Sequence, residues 1–463
     1  MSVYPTSDPP SGGRFSRHPS PYLLEWPLRP WWRAVIFLTL VIALSGSLIY
    51  KTARVALATQ AIESLSIPEV QKGLQYDPGN PDVLYRLGVL YSFLPADVNP
   101  VEAMKYLRQA IALNPRRWEY WSVLGTTCDF VGDTACSDQA FERVEALNAI
   151  TPRLQWTMGN HYVLTNRVQL SFPYFRRLLE MAPEYSGPAF RLLLRAANDP
   201  QQIYEGVLAE GKDPSRRFAF LTFLSATGDY DSAMRIWGEM IAGPDRSPEV
   251  SSVKPFLDFL IGHDQIHYAS IVWGDLDRRG LIPKEVGPSP RSLVYNGSFG
   301  RSPLDTGFDW QYSKDPDLLF DFSDPSGYKN GNCLRIEFLV GRNENFELVS
   351  QVVQVAPKTR YQLTAYVRSD DLTSDSGPRL RVAEIGCQYC QPATTDQTLG
   401  TTDWHPIDLT FTTQPQTQAV RITFWRPPGR MPPRDISGTV WLDEVNLHAA
   451  EIPGRVVTQE RPR

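Results

Sequence analysis

The apolar positions of this 463-residue chain change period along its length. From Lys51 to about residue 280 they recur three and four apart, which predicts amphipathic helices. Beyond residue 292 they alternate in twos. Leu334, Ile336 and Phe338 interleave with Arg335 and Glu337, and Tyr361–Arg368, Arg379–Ile385 and Val420–Trp425 follow the same rule. Gly, Pro, Asp and Ser clusters separate these runs, as expected of half-buried strands. Ahead of both regions, Ala34–Tyr50 holds seventeen residues without a charge. As a helix this run spans about 26 Å, which with Trp31 and Trp32 at its rim crosses a hydrocarbon core of roughly 30 Å.

Arg14, Arg17, Arg29 and Arg33 precede the apolar run, whereas only Lys51 and Arg54 follow it closely. That bias keeps the N-terminus in the cytoplasm. The expectation is a single-pass protein of the cytoplasmic (inner) membrane with the bulk of the chain extracytoplasmic. The alternative is a cleaved signal peptide ending at Ala56-Leu57-Ala58, eight residues past the apolar run. Both readings export the main body. Residues 1–30 carry seven prolines and little apolar periodicity, so a disordered cytoplasmic tail is expected there. The organisation expected overall is a tail (1–30), a transmembrane helix (31–50), helical repeats (51–280), a Pro/Gly linker (281–292), a β-sandwich (293–449) and a loose tail (450–463).

Self-comparison of the helical region finds a period. Pro78, Pro115 and Pro152 are 37 apart, and Gly88 with Gly125, and Ala103 with Ala140, keep that spacing. Leu87-Gly88 and Leu124-Gly125 would sit mid-way along a first helix, Ala103 and Ala140 at the closest approach of a second, and each proline would end that second helix. These residues resemble the tetratricopeptide repeat, a 34-residue helix-turn-helix unit. The resemblance places the three extra residues in the turns around Pro95–Pro100 and Val131–Ala135. Further units read Gly159, Tyr162, Phe175 and Pro183; then Gly228-Asp229-Tyr230 with Ala233, Trp237 and Met240; then Ala269, Trp273 and Leu276. Residues 184–215 are helical but degenerate. Five to six units are expected, each needing a neighbour to cover its apolar face, and the resemblance implies an array that binds a protein partner.

The C-terminal region contains Asn296-Gly297-Ser298-Phe299, Gly307-Phe308-Asp309-Trp310, Tyr361–Arg368, Thr402-Asp403-Trp404 and Trp441–Leu447. In order and spacing these are similar to carbohydrate-binding modules of the family 4 and 9 kind. The resemblance implies an all-β jelly roll of two antiparallel sheets and a glycan ligand. Gly300 stands where family members carry an acidic residue that helps hold a structural calcium with the late Asp. Asp443 lacks that partner, and no cofactor is expected. The fold class expected is therefore multidomain: a single transmembrane helix, an all-α solenoid and an all-β sandwich.

A net charge of -5 without a basic face argues against a nucleic-acid partner. His263-Asp264-Gln265-Ile266-His267 has the spacing of a zinc-protease motif, but Asp264 replaces the catalytic Glu. The repeat register also puts His263 in a turn and His267 in the next helix. Cys387-Gln388-Tyr389-Cys390 has redox spacing without the following helix that would stabilise a thiolate. Asn296-Gly297-Ser298 matches a glycosylation acceptor but coincides with the turn entering the sandwich. Phosphate loops, nucleophile elbows and paired-carboxylate constellations do not stand out, so neither a catalytic nor a metal site is expected.

The period of two turns Tyr366 and Arg368, Arg379 and Arg381, Arg421 and Trp425, and Glu337 away from the core. If their strands share a sheet, these seven residues form one open face. Aromatic planes stack on sugar rings and guanidinium forks pair with carboxylates, which points to an acidic polysaccharide. The function expected is a non-enzymatic, membrane-anchored adaptor in cell-surface polysaccharide export or assembly, with repeats on protein and sandwich on glycan. The alternative is a structural envelope scaffold whose sandwich binds protein.

Export would oxidise the two close cysteine pairs, Cys128 with Cys136 and Cys387 with Cys390, and leave Cys333 as a free thiol. Closing the Cys128–Cys136 loop stabilises by about 2–3 kcal/mol in the chain-entropy model. Mass spectrometry of non-reduced peptides is expected to find these two bridges. A bridged Cys333, or five cysteines alkylated without reductant, would refute the pairing.

Overall fold

The computed structural model describes residues 31–147, 150–211, 213–243, 249–283 and 292–450. The expected tails at 1–30 and 451–463, and linker residues 284–291, lie outside the described residues. The described chain forms two compact units, one up to residue 147 and one from Ile150.

The first unit consists of helices α1 (Trp31–Ile62), α2 (Ile67–Tyr76), α3 (Pro81–Phe93), α4 (Pro100–Leu113), α5 (Trp118–Val131) and α6 (Thr134–Ala146). Helix α1 is long and apolar enough to cross a membrane, and its most apolar stretch is uncovered by the rest of the protein. Its last turns pack on α2 and α3 around Ala58, Val70, Val83 and Leu87. Consecutive helices pair because small residues admit a neighbour's side chain. A Cβ on Gly88 would meet Leu107 at 2.5 Å, and one on Gly125 would meet Phe141 at 2.8 Å. Asn80, Asn99 and Asp133 cap α3, α4 and α6 by accepting first-turn N–H groups.

The repeat register needs one correction. The six-residue connection between α3 and α4 holds the inserted residues, but α5 and α6 are joined by Gly132-Asp133 alone. The second unit, from the start of α5 to the start of α7, spans 34 residues and holds no insertion. The cause is that the three prolines are not equivalent: Pro78 and Pro115 lie in turns after α2 and α4, whereas Pro152 opens the next helix, where its missing N–H costs nothing. Gly125 and Gly159 are accordingly 34 apart.

The second unit begins with α7 (Pro152–Leu164), α8 (Val168–Met181), α9 (Ser186–Ala197) and the short α10 (Pro200–Ile203), which runs into a π-helical turn, Tyr204–Leu208. There follow α11 (Ser215–Ala226), α12 (Tyr230–Ala242), α13 (Val250–Gly262) and α14 (Ile266–Arg278). The degenerate stretch is thus a real pair, α9 with α10 and its π turn. That turn carries Gly206, where a Cβ would lie 2.1 Å from Phe172. The described residues hold seven helix pairs rather than five or six.

Strands β1 (Gln311–Tyr312), β4 (Phe346–Gln354), β9 (Ala419–Arg426), β6 (Arg379–Glu384) and β7 (Ala393–Thr394) form one antiparallel sheet in that spatial order. Strands β2 (Leu318–Asp324), β3 (Cys333–Arg342), β10 (Ile436–Ala449), β5 (Arg360–Leu372) and β8 (Gly400–Thr412) form the other. Their inner faces interdigitate around Leu334, Ile336, Leu363, Val367, Leu380, Ile422, Phe424 and Leu442.

The last helices pack on the outer face of the first sheet. Val352 and Ala419 point away from the sandwich core yet are buried in the helical core with Trp273 and Leu276. Trp273 stands edge-on to Tyr295 and Phe308. Lys254 pairs with Asp305, and Asp258 accepts hydrogen bonds from Thr306 and Gln311, each at 3.0 Å. Gly307 closes the contact. Its φ is +63°, and a Cβ there would lie 2.1 Å from the Trp273 ring.

Gly307→Ala is therefore expected to destabilise the second unit by about 2–4 kcal/mol, combining left-handed strain with overpacking. In a Trp273→Ala background only the backbone part, about 1 kcal/mol, should remain. Urea unfolding of the four proteins of this cycle measures it. Equal cost in both backgrounds would show that the ring is not what excludes a side chain.

Candidate functional site

The seven residues expected on one open face are divided between two. Tyr366 and Arg368 on β5 and Glu337 on β3 belong to the second sheet; Arg379 and Arg381 on β6, with Arg421 and Trp425 on β9, belong to the first. All lie outside the inner-face core. The correction concerns sheet membership. A period of two tells which way a residue points from its own strand, but not which strand lies alongside.

On the first sheet, Trp425 lies opposite Arg379 and Glu347, with the Arg381 guanidinium 4.8 Å from its ring centre. These groups are already engaged. Arg381 pairs with Glu347 at 2.5 Å, Arg379 donates to the Ser376 hydroxyl and the Gln397 amide oxygen, and Trp425 Nε1 donates to Asn345. Arg421 stands apart, lining a cleft of about 470 Å³ with Glu384, Gln388 and Asp264 from the α13–α14 turn.

The outer face of the second sheet is different. Trp441 on β10 lies directly opposite Arg335 on β3 and Arg368 on β5. The two guanidinium carbons lie 6.0 and 4.2 Å from its ring centre. Arg335 is paired with Glu337 at 2.6 Å. Arg368 is half-buried over Trp441, and among the described residues its guanidinium has no ion-pair partner. Next to it on the same strand, Tyr366 stacks on Tyr328 with centroids 3.6 Å apart, and Trp404 stands edge-on to Tyr328. Two indole donors fix the arrangement: Trp441 Nε1 to Asp324 at 3.1 Å and Trp404 Nε1 to the Ser326 carbonyl at 3.2 Å.

Tyr328, Trp404, Trp441 and Arg335 were not among the expected site residues. Trp441 alternates with the inward Val440 and Leu442, so the period of two could have found it. Tyr328 sits in the loop between β2 and β3, where no periodicity operates.

The same loop folds over Asp443, which is 2% exposed. Its carboxylate accepts the N–H groups of Tyr328 at 2.8 Å and Glu444 at 2.7 Å. Burial outweighs these bonds and pushes its pKa up to about 6. Asp324 shows the opposite balance: burial opposes its charge, but bonds from Ser326 and Trp441 together hold it below the usual carboxylate range. Burial also pushes the thiol of Cys333 up to about 12, which leaves it inert. Among the described residues no group of three or more His, Cys, Asp or Glu could hold a metal ion.

The remaining motifs resolve locally. His263 caps the end of α13 and stacks on Phe259, whereas His267 lies in α14, so the two do not share a helix. Asn296 is 2% exposed and its amide donates to the Arg301 carbonyl, which excludes it as a glycosylation acceptor in the folded protein. Cys128 is bonded to Cys136 and Cys387 to Cys390, while Cys333 is a buried free thiol.

No family model matches the chain, and no curated protein matches it. Among solved structures it is similar to a family 16 carbohydrate-binding module at 14% identity, over 34% of this chain and 98% of that one, with a TM-score of 0.25. It is also similar to PilF of Pseudomonas aeruginosa, at 16% identity over 42% of this chain and 93% of that one, TM-score 0.29. YrrB, described as a TPR protein with an unusual peptide-binding site, is similar at 13% identity over 39% and 95%, TM-score 0.27. At such identities the likeness concerns fold alone.

Because Asp443 has a raised pKa in the folded protein, its neutral form favours folding. That contribution is full below the ordinary value of 3.8 and is lost as pH rises through about 6. The native protein should therefore gain stability relative to Asp443→Asn as pH falls from 7 to 4. Unfolding midpoints of both across that range test this, and a pH-independent difference would refute the shift.

Proposed function

We propose that the protein is a non-enzymatic, membrane-anchored adaptor. In this reading α1 is the anchor, the helical repeats bind a protein partner, and the sandwich binds an acidic glycan during export or assembly of cell-surface polysaccharide. The glycan site is assigned to the outer face of the second sheet. The observation that carries it is Arg368. Its guanidinium lies over Trp441, 4.2 Å from the ring centre, beside the Tyr328, Tyr366 and Trp404 rings and without an ion-pair partner among the described residues. A preorganised guanidinium loses little entropy on pairing with a uronate or other acidic sugar, and the neighbouring rings offer apolar planes for stacking. The first sheet is the weaker choice because Arg379 and Arg381 beside Trp425 are engaged and one end of its outer face is covered by helices.

Calorimetry on the full chain in detergent, against acidic and neutral oligosaccharides, tests this. The full chain is required because an isolated sandwich would expose Val352 and Phe308. Acidic glycans are expected to bind, and Tyr366→Ala and Arg368→Ala to weaken binding by about 1–3 kcal/mol each. Trp425→Ala and Arg381→Ala should have little effect. The reverse pattern would move the site to the first sheet. Lack of binding to any glycan would favour the scaffold reading, in which the sandwich meets protein.

A further inference from the structure

We infer that the first unit rests one edge on anionic lipid headgroups, through the turns that join successive helix pairs. This rests on the reading of α1 as a membrane anchor. Helix α1 is continuous from Trp31 to Ile62 and so serves as a ruler. Trp31–Tyr50 fills a hydrocarbon core of roughly 30 Å at 1.5 Å per residue, which puts Arg54 about 6 Å beyond it, within the headgroup layer.

Arg54 carries that level to its neighbours. Its Nε donates to the Tyr76 carbonyl at 2.6 Å and its guanidinium also reaches the Gln75 carbonyl. The end of α2 and the turn after it, Asp77–Asn80, are thereby held at the height of Arg54 or closer to the bilayer. A second measurement agrees. Arg86 on α3 donates to the Ser64 carbonyl just past the far end of α1, so α3 rises parallel to α1 from that turn. The next turn joins at the same level, since Arg117 pairs with Asp82 at 3.6 Å and the Tyr120 hydroxyl donates to Asp82 at 2.5 Å. The Asn114–Arg117 turn therefore faces the headgroups as well.

Charge is sorted to match. The near edge carries Lys51, Arg54, Lys72, Arg116 and Arg117 against Asp77, Asp82 and Glu119, two of which Arg117 contacts, and the end of α6, whose Arg143 lies over Trp121, adds Arg143 with Glu142 and Glu145. The far edge, where α1 meets α2 and α3 meets α4, carries Glu63, Glu69, Asp97 and Glu102 against Lys105. Lys51, Lys72 and Arg116 are exposed, and so are Tyr76 and Leu113 at the same edge. Cations with an interfacial tyrosine and an exposed leucine suit a lipid surface, and each cation near anionic headgroups strengthens the contact about fivefold. The partner is thus a phospholipid headgroup layer with negative charge, and it fixes the tilt of the unit on its anchor.

The test uses the full chain in nanodiscs of phosphatidylcholine, with or without about one-third phosphatidylglycerol, followed by hydrogen exchange. Peptides covering 72–82 and 113–119 are expected to exchange roughly fivefold more slowly with the anionic lipid, while the far turn at 94–99 stays unchanged. Lys72→Glu with Arg116→Glu should abolish the difference while the chain remains in the disc. Equal exchange in both lipids, with the chain resistant to alkaline carbonate extraction, would overturn the inference and leave the anchor standing. Release by carbonate would overturn the anchor, and the inference with it.

Discussion

The helical part of this protein depends on one recurring contact, a bulky side chain laid against the Cα of a glycine. Leu107 on Gly88, Phe141 on Gly125, Phe175 on Gly159 and Phe172 on Gly206 are four cases, and in each a Cβ would come within 2.8 Å of the side chain. The contact sets how closely two helices approach, and so how deeply an apolar face is buried. Two-helix units cannot bury that face alone, so within each unit neighbouring pairs rely on one another. Trp273 on Gly307 extends the device from helix to sandwich.

That extension constrains the sandwich. A jelly roll has two outer faces, and here the helices α13 and α14 cover one end of one of them, burying Val352 and Ala419. The ion pairs and hydrogen bonds of Lys254 and Asp258 orient the contact. The second sheet keeps its outer face, and on that face a tryptophan is flanked across the strands by two arginines. Among the described residues only Arg335 of the two has a carboxylate partner.

Hydrogen bonds from polar groups fix the geometry of this face. Asp324 and the Ser326 carbonyl take the two indole donors, and Asp443 takes the backbone of the Tyr328 loop. At one end of the sandwich, fully buried Arg426 donates to the Ser376 and Glu344 carbonyls and to the Ser374 hydroxyl. These three bonds join β9 to loops distant in sequence. Such a network is costly if incomplete, so it specifies one loop arrangement.

Local pattern was enough to read the apolar N-terminal helix, the helical repeats, the two-sheet sandwich and the outward direction of Tyr366, Arg368, Arg379, Arg381, Arg421, Trp425 and Glu337. These follow from periods of 3.6 and 2, which are properties of a single element. The pairing of close cysteines across a short turn was legible for the same reason. Proline spacing misled, because Pro152 opens a helix where Pro78 and Pro115 lie in turns, and residue identity does not reveal position within a cap. Which strands are neighbours, and so which arginines share a face with which tryptophan, depended on contacts such as Trp441 with Arg335, 106 positions away in the sequence. The burial of outward-facing Val352 by helices was equally invisible. Both are set by packing between elements distant in sequence, where no local period carries the information.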